Sequence, residues 1–220
     1  MCGISGFLNR KGKKEYCTDE ITAMVDLQTH RGPDDYGLLG VNFSEERTYD
    51  LTKNTRYEAS MDAMFGFDRL SILDLSMNGH QPMKSPDGKV IVLFNGEIYN
   101  AFDYRRELEL DGVRFHSTSD TEILLHLYLK YGIERLPEKL NGMFGICICD
   151  LRKHMMYLLR DRVGIKPLYY TVTEERFAFA SELKSFLGLN DFKRELDTNA
   201  FSENLTFFKP LNNILFKNVE

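Results

Sequence analysis

Residues 90–100 read VIVLFNGEIYN. Val90 to Phe94 is apolar at every position, so a strand here has no polar face to turn toward water. Asn95-Gly96 follows directly and gives a strong turn signal. The same two-sided apolar character recurs in Cys2 to Leu8 and in Met143 to Cys149. Met143–Cys149 and Met155–Leu159 read as a hairpin across Asp150 to His154, and Leu168–Thr171 with Phe177–Ala180 as another. Met64–Phe67 and Ser71–Leu73 read as strand pieces around Asp68-Arg69. Consecutive hairpins imply antiparallel pairing. Strands that are apolar on both faces need cover on both. Sheets packed on each other with helices outside satisfy that need, which gives an α+β class.

Helical segments fit this frame. Asp19 to Thr29 puts Ile21, Met24, Val25 and Gln28 on one face, ahead of a turn-rich loop at Arg31-Gly32-Pro33-Asp34-Asp35. Ala101 to Leu110 reads as a helix with Asn100 as its cap. The clearest helix starts at Ser119, where Ser119 and Glu122 have capping-box spacing. Ile123, Leu124, Leu127, Tyr128 and Tyr131 form its apolar face, and Gly132 fits its stop. Ser181 is expected to cap a short helix up to Leu187. No repeat, low-complexity tract or internal linker stands out.

The chain has 220 residues, 43% hydrophobic and 28% charged, with a formal net charge of −5. That is ordinary for a globular protein with a sizeable core. A mildly acidic chain without basic clusters offers no footprint for nucleic acid or an anionic membrane. No apolar run approaches the roughly 18 residues of a membrane span. The basic residues near the start follow the apolar stretch, the wrong order for a secretory signal. The expectation is a cytoplasmic protein with its four cysteines reduced. Cys147 and Cys149, two apart in an apolar run, read as core residues sharing one face of a strand. No cysteine or histidine spacing suits a metal.

Cys2 is the residue that asks for chemistry. An arbitrary cysteine in a first strand is a small core residue. Here, removal of Met1 would leave a free α-amine on the thiol-bearing residue itself. A thiol titrates at about 8.5 and an α-amine at about 7.7–8.0, so the amine can be neutral near physiological pH and accept the thiol proton. Gly3, Ser5 and Gly6 allow close approach of backbone and ligand. A thiolate attacking an amide creates an oxyanion that needs preorganised donors. Asn95-Gly96 offers a side-chain amide and an unobstructed N–H, so the dipeptide can be both turn and donor pair.

These residues add up to a resemblance. MCGISGF at the start, HRGPDD at 30–35, RLSILD at 69–74, QPM at 81–83, FNGEIYN at 94–100, SDTE at 119–122, LNGMFG at 140–145, RDRVGIKPLYY at 160–170 and ASELK at 180–184 stand in one order. Together they resemble the glutaminase domain of the class II, N-terminal-nucleophile amidotransferases. Within that class they are most like the glutamine-hydrolysing asparagine synthetases. The resemblance implies a four-layer αββα sandwich of two antiparallel sheets, with the site between them. It implies Cys2 as nucleophile and Asn95 with Gly96 as oxyanion hole. It puts Arg69 on the α-carboxylate of glutamine and Asp120 near its α-ammonium. Leu70, Ile72, Leu73 and Glu97 would line the same pocket. An arginine fork suits a carboxylate, whereas helix dipole alone could explain Asp120. Arg31 and Asp161-Arg162 read as loop stabilisers.

The implied reaction is hydrolysis of glutamine to glutamate and ammonia through a Cys2 thioester. Residues 1–190 would be the glutaminase domain, and 191–220 an extension toward a synthetase domain absent from this sequence. Neither a Ser-Gly-Gly-x-Asp string nor a Walker loop occurs, so ATP and magnesium are expected only in that missing domain. The expected partners are glutamine and, in a full-length parent, the synthetase domain. The resemblance leaves room for a homodimer. Two rivals stand beside this reading. A sister class II enzyme acting on a phosphosugar or phosphoribosyl substrate is disfavoured by RLSILD and QPM. A non-catalytic dimerisation or partner-binding domain is disfavoured by the intact Cys2, Arg69, Asn95-Gly96 and Asp120.

Overall fold

The computed structural model describes residues 1–207 and 216–220. Its strands are β1 (Gly3–Asn9), β2 (Glu15–Cys17), β3 (Asp35–Asn42), β4 (Arg47–Asp50), β5 (Arg56–Met61), β6 (Ala63–Arg69), β7 (Met83–Lys84), β8 (Val90–Ile98), β9 (Gly142–Asp150), β10 (Met155–Arg160), β11 (Tyr169–Val172) and β12 (Arg176–Ala180). The helices are α1 (Asp19–Asp26), α2 (Ala101–Leu110), α3 (Asp120–Lys139) and α4 (Thr198–Phe207). One sheet runs β11-β12-β1-β6-β3-β4, a second runs β10-β9-β8-β7, and β2 pairs with β5. All strand pairs are antiparallel.

Period-2 alternation sorts the side chains into three cores. Ile4, Phe65, Phe67, Ile91, Leu93, Cys147 and Cys149 meet between the two sheets. Val90, Val92, Phe94 and Ile98 point the other way, onto Ile123, Leu124 and Leu127 of α3 and Leu108 of α2. Phe7 and Met64 point away from the second sheet onto Ile21, Met24 and Val25 of α1 and Phe186 beyond β12. The layers are therefore helix, sheet, sheet, helix, the αββα sandwich expected, and the two-sided apolar strands are the ones buried in it.

Several local expectations give way to tertiary structure. Asn95-Gly96 is no turn: β8 continues to Ile98, with Asn95 opposite Gly145 and Gly96 opposite Phe144. A Cβ on Gly96 would lie 2.1 Å from Met143 O, so glycine serves the close approach of β9 rather than a reversal. Ser71–Leu73 forms no strand and lies in a loop with Ile72 exposed. The Ser119–Glu122 capping box does not form. Glu122 instead accepts from His116 N at 2.9 Å, Ser117 N at 2.6 Å and Ser117 Oγ at 2.7 Å. Asn100 does not cap α2; its amide ties Lys139 O and Asn141 N, both near 3 Å, to the end of β8. Ser181 accepts from Ile4 N at 3.0 Å, and the 3-10 segment that follows starts at Leu183. Gly132, at φ 70°, leaves helical geometry and ends the first helical stretch of α3 as expected, and a second stretch follows it to Lys139. β3, β4 and β5 lie where the sequence carries no clean strand signal. The end of the chain returns to the first sheet: Tyr170 and Glu220 exchange backbone hydrogen bonds of 2.8 and 2.9 Å, and Phe192 and Val219 are buried in the outer core.

Candidate active site

β1, β6 and β8 deliver their ends to one cleft between the sheets. Cys2 precedes β1 and shares the inward face with Ile4; Arg69 ends β6 on the face of Phe65 and Phe67; Asn95 lies on β8 on the face of Ile91 and Leu93. A cavity of ≈ 150 Å³ collects Cys2, Arg69, Leu70, Ile72, Leu73, Asn95, Gly96, Glu97 and Asp120. Every site residue named from the sequence therefore lines one space.

The Cys2 thiol is embedded in the backbone of Leu70. Leu70 N donates to Sγ at 3.4 Å, and Sγ lies 3.6 Å from Leu70 O. Burial raises the thiol's pKa above its ordinary value, opposed by the Leu70 contact, the N-terminal ammonium, Arg69 and Arg31. The resting group is thus a thiol that needs a base. Arg31 Nε donates to Cys2 O at 3.0 Å while its guanidinium pairs with Glu182 at 3.1 Å. This fits the loop-stabilising role expected of it, applied to the Cys2 carbonyl.

Asn95 is 1% exposed, and its Nδ2 has no hydrogen-bond partner. An orphaned buried donor costs roughly 1–3 kcal/mol, and among the described residues this one, in the same cavity as the Cys2 thiol, has no acceptor. Arg69 is also buried, and its guanidinium donates only to main chain: Ser76 O at 2.8 Å and Asp74 O. Among the described residues it has no carboxylate partner, so the ion-pair explanation for this arginine fails. Gly79 sits against it, where a Cβ would come within 2.3 Å of its Nη2.

Asp120 opens α3, and its carboxylate accepts Ile98 N at 3.0 Å, joining the helix start to the end of β8. Burial pushes its pKa up to about 6 against that hydrogen bond, with Glu97 adding to the rise. The place of Asp120 in the first turn suits the helix dipole, and the carboxylate also lines the cavity. Asp161, Arg160 and Arg162 organise the loop after β10. Asp161 accepts Phe144 N at 3.1 Å, Ile165 N at 2.8 Å and Lys166 N at 2.9 Å; Arg162 donates to Leu140 O and Pro137 O.

Sequence reasoning did not assign Gln81, Thr121 or Lys166, which also line the cavity. Gln81 lies in QPM, and a buried glutamine beside proline was a usable signal. Lys166 lies in RDRVGIKPLYY, a motif to which no role was attached, and a lysine is most often a solvated side chain.

The fold and the site define a class. The B. subtilis glutamine phosphoribosylpyrophosphate amidotransferase, solved with ADP and GMP, superposes with a TM-score of 0.70 at 21% identity, over 89% of this chain and 45% of that one. The likeness is one of fold, the αββα sandwich. The sequence profile described as "Glutamine amidotransferase domain" matches residues 1–220, and the chain belongs to that family. Its relatives include two asparagine synthetases [glutamine-hydrolyzing] of Bacillus subtilis (strain 168). Number 1 is 39% identical over 210 residues, covering 94% of this chain and 30% of the relative. Number 3 is 33% identical over 205 residues, covering 92% and 30%. The chain thus spans about 30% of the length of these relatives.

Proposed function

We propose that this chain hydrolyses glutamine to glutamate and ammonia as the glutaminase part of a glutamine-hydrolysing asparagine synthetase. The observation that carries the reading is the orphaned amide donor of Asn95 in the same cavity as the Cys2 thiol and an arginine without an ion pair.

With Met1 removed, the Cys2 α-amine takes the thiol proton. The sulfur attacks the side-chain amide carbon of glutamine, and the carbonyl oxygen becomes an oxyanion. Asn95 Nδ2 and the Gly96 N–H donate to it. Collapse breaks the C–N bond, and the proton held by the amine leaves with the nitrogen as ammonia. Water, deprotonated by the same amine, then cleaves the thioester, releasing glutamate and restoring the thiol. Arg69 binds the substrate carboxylate and Asp120 its ammonium. Leu70, Ile72, Leu73 and Glu97 complete the pocket. The reaction draws on no cofactor; ATP and magnesium belong to the synthetase domain of a full-length parent. We assign residues 1–190 to the glutaminase unit and 191–220 to the passage toward that domain. A cytoplasmic location fits the reading, and among the described residues no helix is long and apolar enough to cross a membrane. A homodimer is compatible with it.

The test is ammonia release from glutamine by protein whose N-terminal mass shows loss of Met1. Cys2→Ala and Cys2→Ser are expected to abolish release while keeping the wild-type far-UV circular dichroism. Near-wild-type turnover in Cys2→Ala would sink the mechanism.

A further inference from the structure

Lys166 is 6% exposed and lines the cavity beside Cys2. Its backbone is clamped on both sides: its N–H donates to Asp161 at 2.9 Å, and its carbonyl accepts Arg160 Nε at 2.9 Å. The side chain is therefore aimed, not loose. Its Nζ lies 3.2 Å from the thioether of Met1. Among the described residues it has no carboxylate partner. A buried ammonium without a counter-ion is costly, and structural economy would have replaced it.

Met1 is the residue whose loss creates the α-amine. It is bonded to the Cys2 nitrogen, and its thioether sulfur lies 3.2 Å from Lys166 Nζ and 4.0 Å from Arg31 Nη2. Once Met1 is cleaved, the new amine opens on the same cavity that the Lys166 side chain lines. The other charged groups around them are accounted for. Arg31 is neutralised by Glu182, which His30 and Lys184 also approach. Arg69 contributes a second positive charge from β6. Glu97 and Asp120 supply negative ones from the end of β8 and the start of α3, and the buried Asp161 carboxylate, which accepts the Lys166 N–H at 2.9 Å, supplies another.

We propose that Lys166 holds the Cys2 α-amine of the processed chain in its neutral, proton-accepting form. A cation close to an amine disfavours its protonated state, because the second positive charge must be created beside the first. The amine then keeps a free lone pair at neutral pH and takes the thiol proton in a transfer that needs no other reactant. Lys166 acts through the amine and touches no reacting atom, so it is a positioning residue. The inference rests on the functional reading above, which makes that amine the base.

The test measures the amine directly. In processed Cys2→Ser protein, which keeps the amine and removes thiol chemistry, the rate of acetic anhydride labelling of residue 2 is followed against pH by peptide mass spectrometry. With Lys166 present the amine is expected to titrate below the ordinary range of about 7.7–8.0. Lys166→Met should raise its pKa by about one unit, a roughly tenfold loss of neutral amine on the acid side. Lys166→Arg, which keeps the charge, should hold the pKa near that of the parent. A value of 8 or above with Lys166 present overturns the inference, and so does a value that Lys166→Met leaves unmoved. If Lys166→Met does not fold, Lys166→Gln replaces it, and the parent value decides alone. The two readings fail separately. Glutamine turnover by Cys2→Ala removes the functional reading, whereas an ordinary amine in a protein whose turnover depends on Cys2 removes only the role of Lys166.

Discussion

Gln81 grips Phe94 by both of its backbone groups. Its Oε1 accepts Phe94 N at 2.6 Å, and its Nε2 donates to Phe94 O at 3.3 Å and to Thr121 Oγ1 at 3.2 Å. β7 is too short to reach this point of β8, since it pairs only with Ile91 and Val92. The glutamine side chain stands in for the missing strand and fixes the residue before Asn95. The orphaned Asn95 amide is therefore held by rigid backbone on both edges, β9 on one and Gln81 on the other. Preorganised donors of this kind stabilise charge without rearrangement at the moment of reaction.

Asn95→Ala should lower kcat and kcat/KM together, by roughly 100- to 1,000-fold for one lost oxyanion donor. Stability should fall little, because the removed Nδ2 has no protein partner to leave behind. Steady-state kinetics with glutamine and a urea denaturation curve check both halves. A rise in KM with unchanged kcat would move Asn95 to ground-state binding.

The ammonium-binding role proposed for Asp120 predicts that binding depends on pH. Its pKa is raised to about 6 by burial, so it is ionised at pH 8 and increasingly neutral below pH 6. A neutral carboxyl loses its attraction for an ammonium. The glutamine KM of wild type should climb as pH falls through 6, while Asp120→Asn should show a high KM that is flat between pH 5 and 8. A wild-type KM independent of pH across that interval would take Asp120 out of ammonium recognition.

Asp68 gives a second pH effect, on stability. It is buried on the α1 side of β6; one carboxylate oxygen lacks a partner, and burial pushes its pKa up to about 7. Because the folded state holds the proton more tightly, the stability from Asp68 is fully present below the ordinary carboxylate pKa and is lost as pH rises through about 7. Asp68→Asn should flatten that decline, and gain on wild type by roughly 1–3 kcal/mol between pH 5 and pH 8 in urea midpoints. An unchanged pH slope in Asp68→Asn would mean the proton is not taken up there.

Legibility in the sequence followed burial. β1, β8 and β9 were visible because both their faces are buried; Cys2 stood out by its place behind Met1, whereas the readings of Arg69 and Asp120 came from the resemblance. β3 was not: its Gly37 and Gly40 dilute the pattern, and a Cβ on Gly37 would lie 1.9 Å from Gln81 O, a contact set by a distant segment. The capping signals at Asn100 and Ser181 misled because each side chain bonds across the fold instead of along it, and Ser119 misled because its hydroxyl pairs with Ser117 rather than with the helix. Asn95-Gly96 misled in the same way. Local turn chemistry was present, but nine residues of pairing with β9 outweighed it.

Arg69 separates an amino-acid site from a generic amidase. Its guanidinium is buried and saturated on one side by the carbonyls of Ser76 and Asp74, and it keeps donors toward the cavity. A guanidinium has five N–H donors, so two main-chain bonds leave a fork for a carboxylate. That carboxylate is remote from the scissile amide, so the contact exists in both ground and transition states and its loss should appear mainly in KM. A charge-assisted bond contributes about 1.5–3 kcal/mol, which predicts a rise of roughly 10- to 150-fold in Arg69→Ala. Lysine keeps the charge without the planar fork, so Arg69→Lys should recover only part of the loss. The control is glutamine with its α-carboxylate converted to an amide. Wild type should discriminate strongly against it and Arg69→Ala much less. Equal discrimination by both proteins would show that Arg69 does not meet that carboxylate and serves only to brace the loop from Leu70 to Gly79.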